Sequence, residues 1–350
     1  MSLDALAKPG ISGGRFLLVD YLPTYAASLM VLVLVWAGAP GRPVDFGRAW
    51  RTAAGLRTGE VVLLGVAITL LAVLGTPLQL ALVRLLEGEW PPAGLARRSR
   101  ARQGRLRARL ASAEELPESQ EGTAEGQAGT VEGQEGTAEG PAAGAETYVA
   151  EAGIQAAGVA GTRLRRLYPP AELLRPTALG NVLAATESQA GEPYGLDAVV
   201  AWPRLYPLLG ENVKAVVDDR RDILDTSARL SVTMAATAVV AGALLARSGW
   251  WLLLALVPLV IARVAYVGAV HAAVAYGEAV RAAIDLHRFT LVDALRLPLP
   301  RDPDDEHRRN TYLCDLWRQG IPMPPEPYRH PSPPDDARTS HVDRRPPRRR

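Results

Sequence analysis

The chain has 350 residues, with 39 Lys and Arg against 37 Asp and Glu, and a single cysteine, Cys314. That near balance of charge gives no overall pull towards nucleic acid, and one cysteine excludes an intrachain disulfide and any metal site built from thiolates alone. Every basic residue except Lys8 and Lys214 is an arginine, so the clustering of charge along the chain says more than its sum.

Residues 1–15 are a short polar N-terminus carrying Lys8 and Arg15. The first apolar run, Phe16–Ala39, is long enough to cross a bilayer, since roughly 20 helical residues span the hydrocarbon core. Its Ala37-Gly38-Ala39 has the small residues of a signal-peptide cleavage site, but Pro40 follows directly and argues against cleavage. A loop at 40–59 has Phe46 and Trp50 at helical spacing, suited to a short interfacial helix. Val61–Val83 is the second run, and Trp90 is placed as an interfacial anchor at its exit. Residues 16–90 therefore read as a first transmembrane hairpin.

Seven arginines follow, at 97, 98, 100, 102, 105, 107 and 109. Cations beside a span are retained on the cytosolic side and attract anionic headgroups. No aromatic residues interleave with them, which speaks against nucleic acid. Between 121 and 140 a seven-residue unit repeats as EGTAEGQ, AGTVEGQ and EGTAEG. Glycine recurs in each unit and no apolar seam exists, so the segment predicts a flexible acidic tether rather than a coiled coil. Residues 91–160 are read as an Arg-rich run with a disordered linker.

Residues 161–229 form a small helical module. In PTALGNVLAATESQAG, Thr177 caps a helix whose face is Leu179, Val182, Leu183 and Thr186, and Gly191 ends it. Tyr194 to Pro203 then suggests a turn and a short extended or helical piece, and Pro203 and Pro207 prevent a long helix there. From Glu211 the helical pattern resumes without a breaker, predicting one continuous helix over 211–246. It enters the third apolar run, which is joined to the fourth by only Arg247-Ser248-Gly249. Residues 230–297 thus read as a second hairpin with a helical extension, and 298–350 as a Pro- and Arg-rich disordered tail, with a helical turn or two over Tyr312–Gln319.

The stretch LGNVLAATESQAGEPYGLDAVVAWPRLYPLL, with DDRRDILDTSARLS after it, resembles a family of multi-pass membrane proteins of actinobacteria. LPTYAA and PLQLALVRLLEG in the first hairpin are similar to the same family. The resemblance implies the architecture and no activity.

The predicted fold class is all-α and membrane-integral, with two transmembrane hairpins (four spans). Placing the seven arginines inside puts the N-terminus, the middle region and the C-terminus in the cytosol, at the cell membrane. The four arginines at 42, 48, 51 and 57 are an exception to that bias.

Chemistry is sparse. With lysine only at 8 and 214, no GxxxxGK phosphate loop is possible, and HExxH, CxxC and GxSxG are absent. No cofactor is expected. The strongest metal candidate is Asp218, Asp222 and Asp225, spaced to share a helix face and to hold Mg²⁺ against a lipid diphosphate. The intervening Arg220 and Arg221 offer local ion pairs, so a solvated charged helix is the favoured reading. Arg263 sits about 20 Å into the fourth run by helical rise, where a cation must snorkel or pair, and Asp20 is the paired alternative. His271 and His287 are too far apart on one helix to chelate together. Ala262, Ala265, Ala269, Ala272, Ala273 and Gly277 form a small-residue seam for close helix packing. The expected function is a non-catalytic anchor, scaffold or regulatory subunit, with a protein partner or a second copy of itself on the cytosolic helices and anionic lipid along Arg97–Arg109. The alternatives are a Mg²⁺-dependent enzyme on a lipid diphosphate and an oligomeric channel or transporter.

Overall fold

The structure is a computed structural model that describes residues 13–39, 41, 43–90, 94–115 and 141–329, without the side chains of 13–22, 74–80 and 141–151. The acidic repeat and the terminal arginine run lie outside the described residues. All regular structure among the described residues is helical. The α-helices are α1 (Gly13–Trp36), α2 (Phe46–Ala54), α3 (Thr58–Leu86), α4 (Gly94–Glu115), α5 (Pro141–Leu167), α6 (Ala178–Gln189), α7 (Ala198–Leu205), α8 (Glu211–Leu245), α9 (Leu256–Ala294) and α10 (Pro303–Gln319).

Helices α8 and α9 form the spine. Antiparallel packing follows from their contacts, because the Ser231 hydroxyl donates to the Ala262 carbonyl at 3.0 Å while Gly242 lies against Ala255. The seam of small residues from Ala262 to Gly277 is buried, so its job is close approach within this chain. The expected single helix from 211 is present as α8. The fourth run, by contrast, does not begin as an α-helix at Trp250. Residues Gly249–Ala255 form a 3-10 turn, and α9 starts at Leu256. Trp250 and Trp251 stack there with centroids 3.9 Å apart, and Phe46 of α2 meets Trp251 edge-on at 5.1 Å.

Two helices, Glu211–Leu245 and the segment Gly249–Ala294, are long and apolar enough to cross a membrane. A third possibility is α2 with Thr58–Val73, which meet at 112°. Asp45 caps α2 by accepting from the Gly47 amide at 2.8 Å, so the expected short helix exists ahead of that bend. The described apolar part of α1, Pro23–Trp36, is shorter than a span.

The opposite end of the spine carries a helical body. Its core joins Leu179 and Val182 of α6, Trp202 and Leu205 of α7, Val217 and Leu224 of α8, and Val280 and Ile284 of α9. Thr177 caps α6 as expected, accepting from the Gly180 amide at 3.0 Å. Burial is wider than the predicted face, however. Gly180, Asn181, Ala184 and Ala185 are buried as well, because α5, α7 and α9 all pack on α6 and the residues after α3 press on Gly180 in its first turn. A Cβ at Gly180 would collide with the Glu87 carbonyl oxygen, so only glycine allows this approach.

Two stretches contain helices that the sequence reading did not place, while the repeat at 121–140 and residues 330–350 lie outside the described residues. Within 91–160, α4 and α5 pack together, tied by Arg165 to Glu114 at 2.9 Å. The tail expected to be disordered from 298 contains α10, a helix of 17 residues. The physical reason lies where α9 ends. Arg296 takes a left-handed φ of 59°, the Leu297 amide donates back to the Val292 carbonyl at 3.2 Å, and Val292, Leu297 and Leu313 form a small core. That closure turns the chain back onto the body instead of releasing it.

Candidate functional site

Asp218, Asp222 and Asp225 are on α8, and the carboxylates of Asp218 and Asp225 meet different partners. Asp218 accepts from the Tyr206 hydroxyl at 2.6 Å. Asp225 stands 3.8 Å from Arg221, and the Asp222 carbonyl accepts from the Thr226 hydroxyl at 2.7 Å. Among the described residues no group of three or more His, Cys, Asp or Glu is arranged to hold a metal ion. Tyr206 packs on Trp202 at 5.8 Å, with the Lys214 ammonium 5.5 Å from its ring. Burial, then the bond to Asp218, pushes the Tyr206 hydroxyl well above its ordinary value of 10.0. A tyrosine held neutral and donating to a carboxylate is a tie between the 198–208 segment and α8. The sequence reading singled out the aspartates and missed the tyrosine.

Arg263 is exposed on α9 beside Ile261 and Val264, which are also exposed. The Asp20 side chain is outside the described residues, and the expected pair with it. His287 has a buried Nδ1 without a hydrogen-bond partner, while His271 is exposed.

The most elaborate polar arrangement is the dock of α10 on the turn at 191–197. Gly195 takes a left-handed φ of 70°, and its α-carbon lies so close to the His307 carbonyl and the Thr311 hydroxyl that no Cβ fits. Asn310 donates to the Tyr194 carbonyl at 2.8 Å, and the Cys314 sulfur accepts from the Asp197 amide at 3.2 Å. Arg318 pairs with Asp197, and Arg204 lies 4.6 Å over the Trp317 ring. Arg288 of α9 completes the joint. It bonds Glu306 at 2.8 Å and stacks on Tyr194 and Phe289 at 4.2 and 4.4 Å. Burial, with a smaller push from Asp315, raises the Cys314 thiol to about 11, so it stays protonated and unreactive near neutral pH.

A capping signature could have found α10 in the sequence. Asp302 caps its start by accepting from the Asp305 amide at 2.8 Å, Pro303 occupies the first turn, and Gly320 closes the helix at φ 71°. Those residues were in plain view, but the charge density between them outweighed them.

No family model matches the chain, and neither curated proteins nor solved structures yield a match. The resemblance to an actinobacterial membrane family gains nothing from these comparisons.

Proposed function

We propose that the chain is a multi-pass protein of the cell membrane that acts as a non-catalytic anchor, scaffold or regulatory subunit. In this reading the four apolar runs cross the bilayer as two hairpins, both termini are cytosolic, and the helical body presents a surface to a protein partner or to a second copy. The observation that carries the reading is the division of α9. Leu256, Val257, Leu259, Val260, Ile261 and Val264 are exposed, whereas Val280, Ala283, Ile284 and Leu291 are buried in the body. Apolar residues exposed along the first part of α9, interrupted only by the cation Arg263 and by the buried Pro258 and Ala262, suit lipid, and a packed polar-capped body suits water. The arginines of α4, which follows α3 in the chain, are mostly exposed and suit an anionic leaflet.

Photo-crosslinkers placed at Asp219 of α8 and Leu286 of α9, both exposed on the body, test the scaffold reading in native membranes. A discrete protein adduct is expected from these positions and none from Leu259. Mg²⁺-dependent binding of a polyprenyl diphosphate, abolished in Asp218→Asn, would overturn it in favour of an enzyme.

A further inference from the structure

A groove of about 460 Å³ opens between α5, the 3-10 turn after α6, and α9. Three guanidinium groups line it: Arg165 and Arg166 from α5, and Arg281 from α9. Arg165 is turned away towards Glu114, at 2.9 Å. The other two converge on one atom. Arg166 Nε is 2.8 Å and Arg281 Nη1 3.5 Å from the same Glu278 oxygen. One carboxylate oxygen therefore serves two cations, while Asp285, whose charge also acts on Arg281, is bonded to Tyr194. Glu192, the other carboxylate on the lining, is solvent-exposed.

Arg281 shows what is missing. Its Nη2 is buried and has no hydrogen-bond acceptor. A buried donor of this kind costs free energy until an acceptor arrives. The fork of a guanidinium matches two oxygens of a tetrahedral anion, and a doubly charged group answers two cations better than a single carboxylate does. We propose that this groove binds a phosphate group, with Arg281 and Arg166 as its donors.

The phosphate has two possible sources, a soluble phosphorylated compound or the headgroup of an anionic phospholipid. Arg281 lies about 20 Å further along α9 than Val267, the last large exposed apolar residue before it, by helical rise. That distance suits a soluble ligand or a headgroup that projects well clear of the hydrocarbon. The proposal does not depend on the scaffold reading, because it uses only the contacts between α5 and α9.

The test uses the full chain in an uncharged detergent with a chelator present, so that Asp218 and Mg²⁺ play no part. Inorganic phosphate is titrated at constant ionic strength, with binding read by calorimetry. Separately, the protein is placed in nanodiscs of phosphatidylcholine alone or with phosphatidylinositol 4-phosphate, and retained lipid is counted. Saturable binding of inorganic phosphate assigns a soluble ligand, and selective retention of the phosphoinositide alone assigns a headgroup. In either case Arg281→Gln should weaken binding about tenfold or more. Glu278→Gln should tighten it, which keeps the test valid where Arg281→Gln fails to fold. Absence of binding in both arms, or binding that neither variant changes, overturns the proposal.

Discussion

Helix α9 runs through two environments without a break. Its first part exposes Leu256, Val257, Leu259, Val260, Ile261 and Val264, and its last part buries Val280, Ala283, Ile284 and Leu291. The residue types hardly differ between the two, since both are aliphatic. What differs is the neighbours. The last part has α6, α7 and α8 around it and shares their core, while the first buries only its own small-residue seam and leaves its larger apolar side chains exposed. Hydrophobicity alone thus marks where a helix is apolar, and only tertiary packing decides whether that surface meets protein or lipid.

The comparison breaks most sharply by deletion of side chains. Ile284→Ala should lower stability by about 2–5 kcal/mol, the usual cost of emptying a well-packed core site. Leu259→Ala should shift the thermal midpoint in detergent far less, because that side chain is half exposed and belongs to no core cluster among the described residues. Equal effects of the two would mean that the first part of α9 is also packed.

Tyr206→Phe comes next. It removes a hydroxyl bonded to Asp218 at 2.6 Å, and a hydrogen bond to a charged acceptor is worth about 1.5–3 kcal/mol. The sign of the pH dependence follows from the raised pKa. Folding favours neutral Tyr206, so its contribution is intact below 10.0 and is lost as the hydroxyl ionises at more alkaline pH. Melting curves of Tyr206→Phe should therefore lose less stability above pH 10 than those of the parent.

Gly195→Ala probes the α10 dock. A left-handed residue with a Cβ costs about 1–2 kcal/mol, and the close His307 carbonyl adds to that. Loosening the dock should show in Cys314, whose thiol is raised from 9.0 to about 11. Alkylation of the parent should be slow until the pH approaches 11, and Arg318→Ala should accelerate it at lower pH without moving stability in the apolar half. The smallest effect has the opposite sign. Arg296 holds a left-handed φ of 59° at the end of α9, so Arg296→Gly should stabilise by about 1 kcal/mol.

How much could be read beforehand follows the range of the interactions. Local rules located α6 from its Thr177 cap and α8 from an unbroken pattern after Gly210, and the prolines at 203 and 207 bounded the length of α7 without deciding that it is helical. These are decided within a few residues. The α10 dock was missed because its ties are distant. Cys314 and Asp197 are 117 positions apart, and α10 buries only a few residues, three of them the polar Glu306, Arg309 and Asn310. The aspartates of α8 were visible, but their chemistry was not. Whether Asp218 meets a metal or a tyrosine depends on where the 198–208 segment folds back. The groove at Arg281 was equally hidden, since neither Arg166 nor Arg281 stood out among so many arginines.

The central claim, that one chain divides between bilayer and cytosol along α9, has a direct measurement. Because Cys314 is the only cysteine, a Cys314→Ser background allows single cysteines at Val260 and Leu286 to be probed with a membrane-impermeant maleimide, in intact cells and in inverted vesicles. The account predicts that Leu286→Cys is labelled only in inverted vesicles and Val260→Cys in neither. Ready labelling of Val260→Cys from water, or of Leu286→Cys in intact cells, would contradict it.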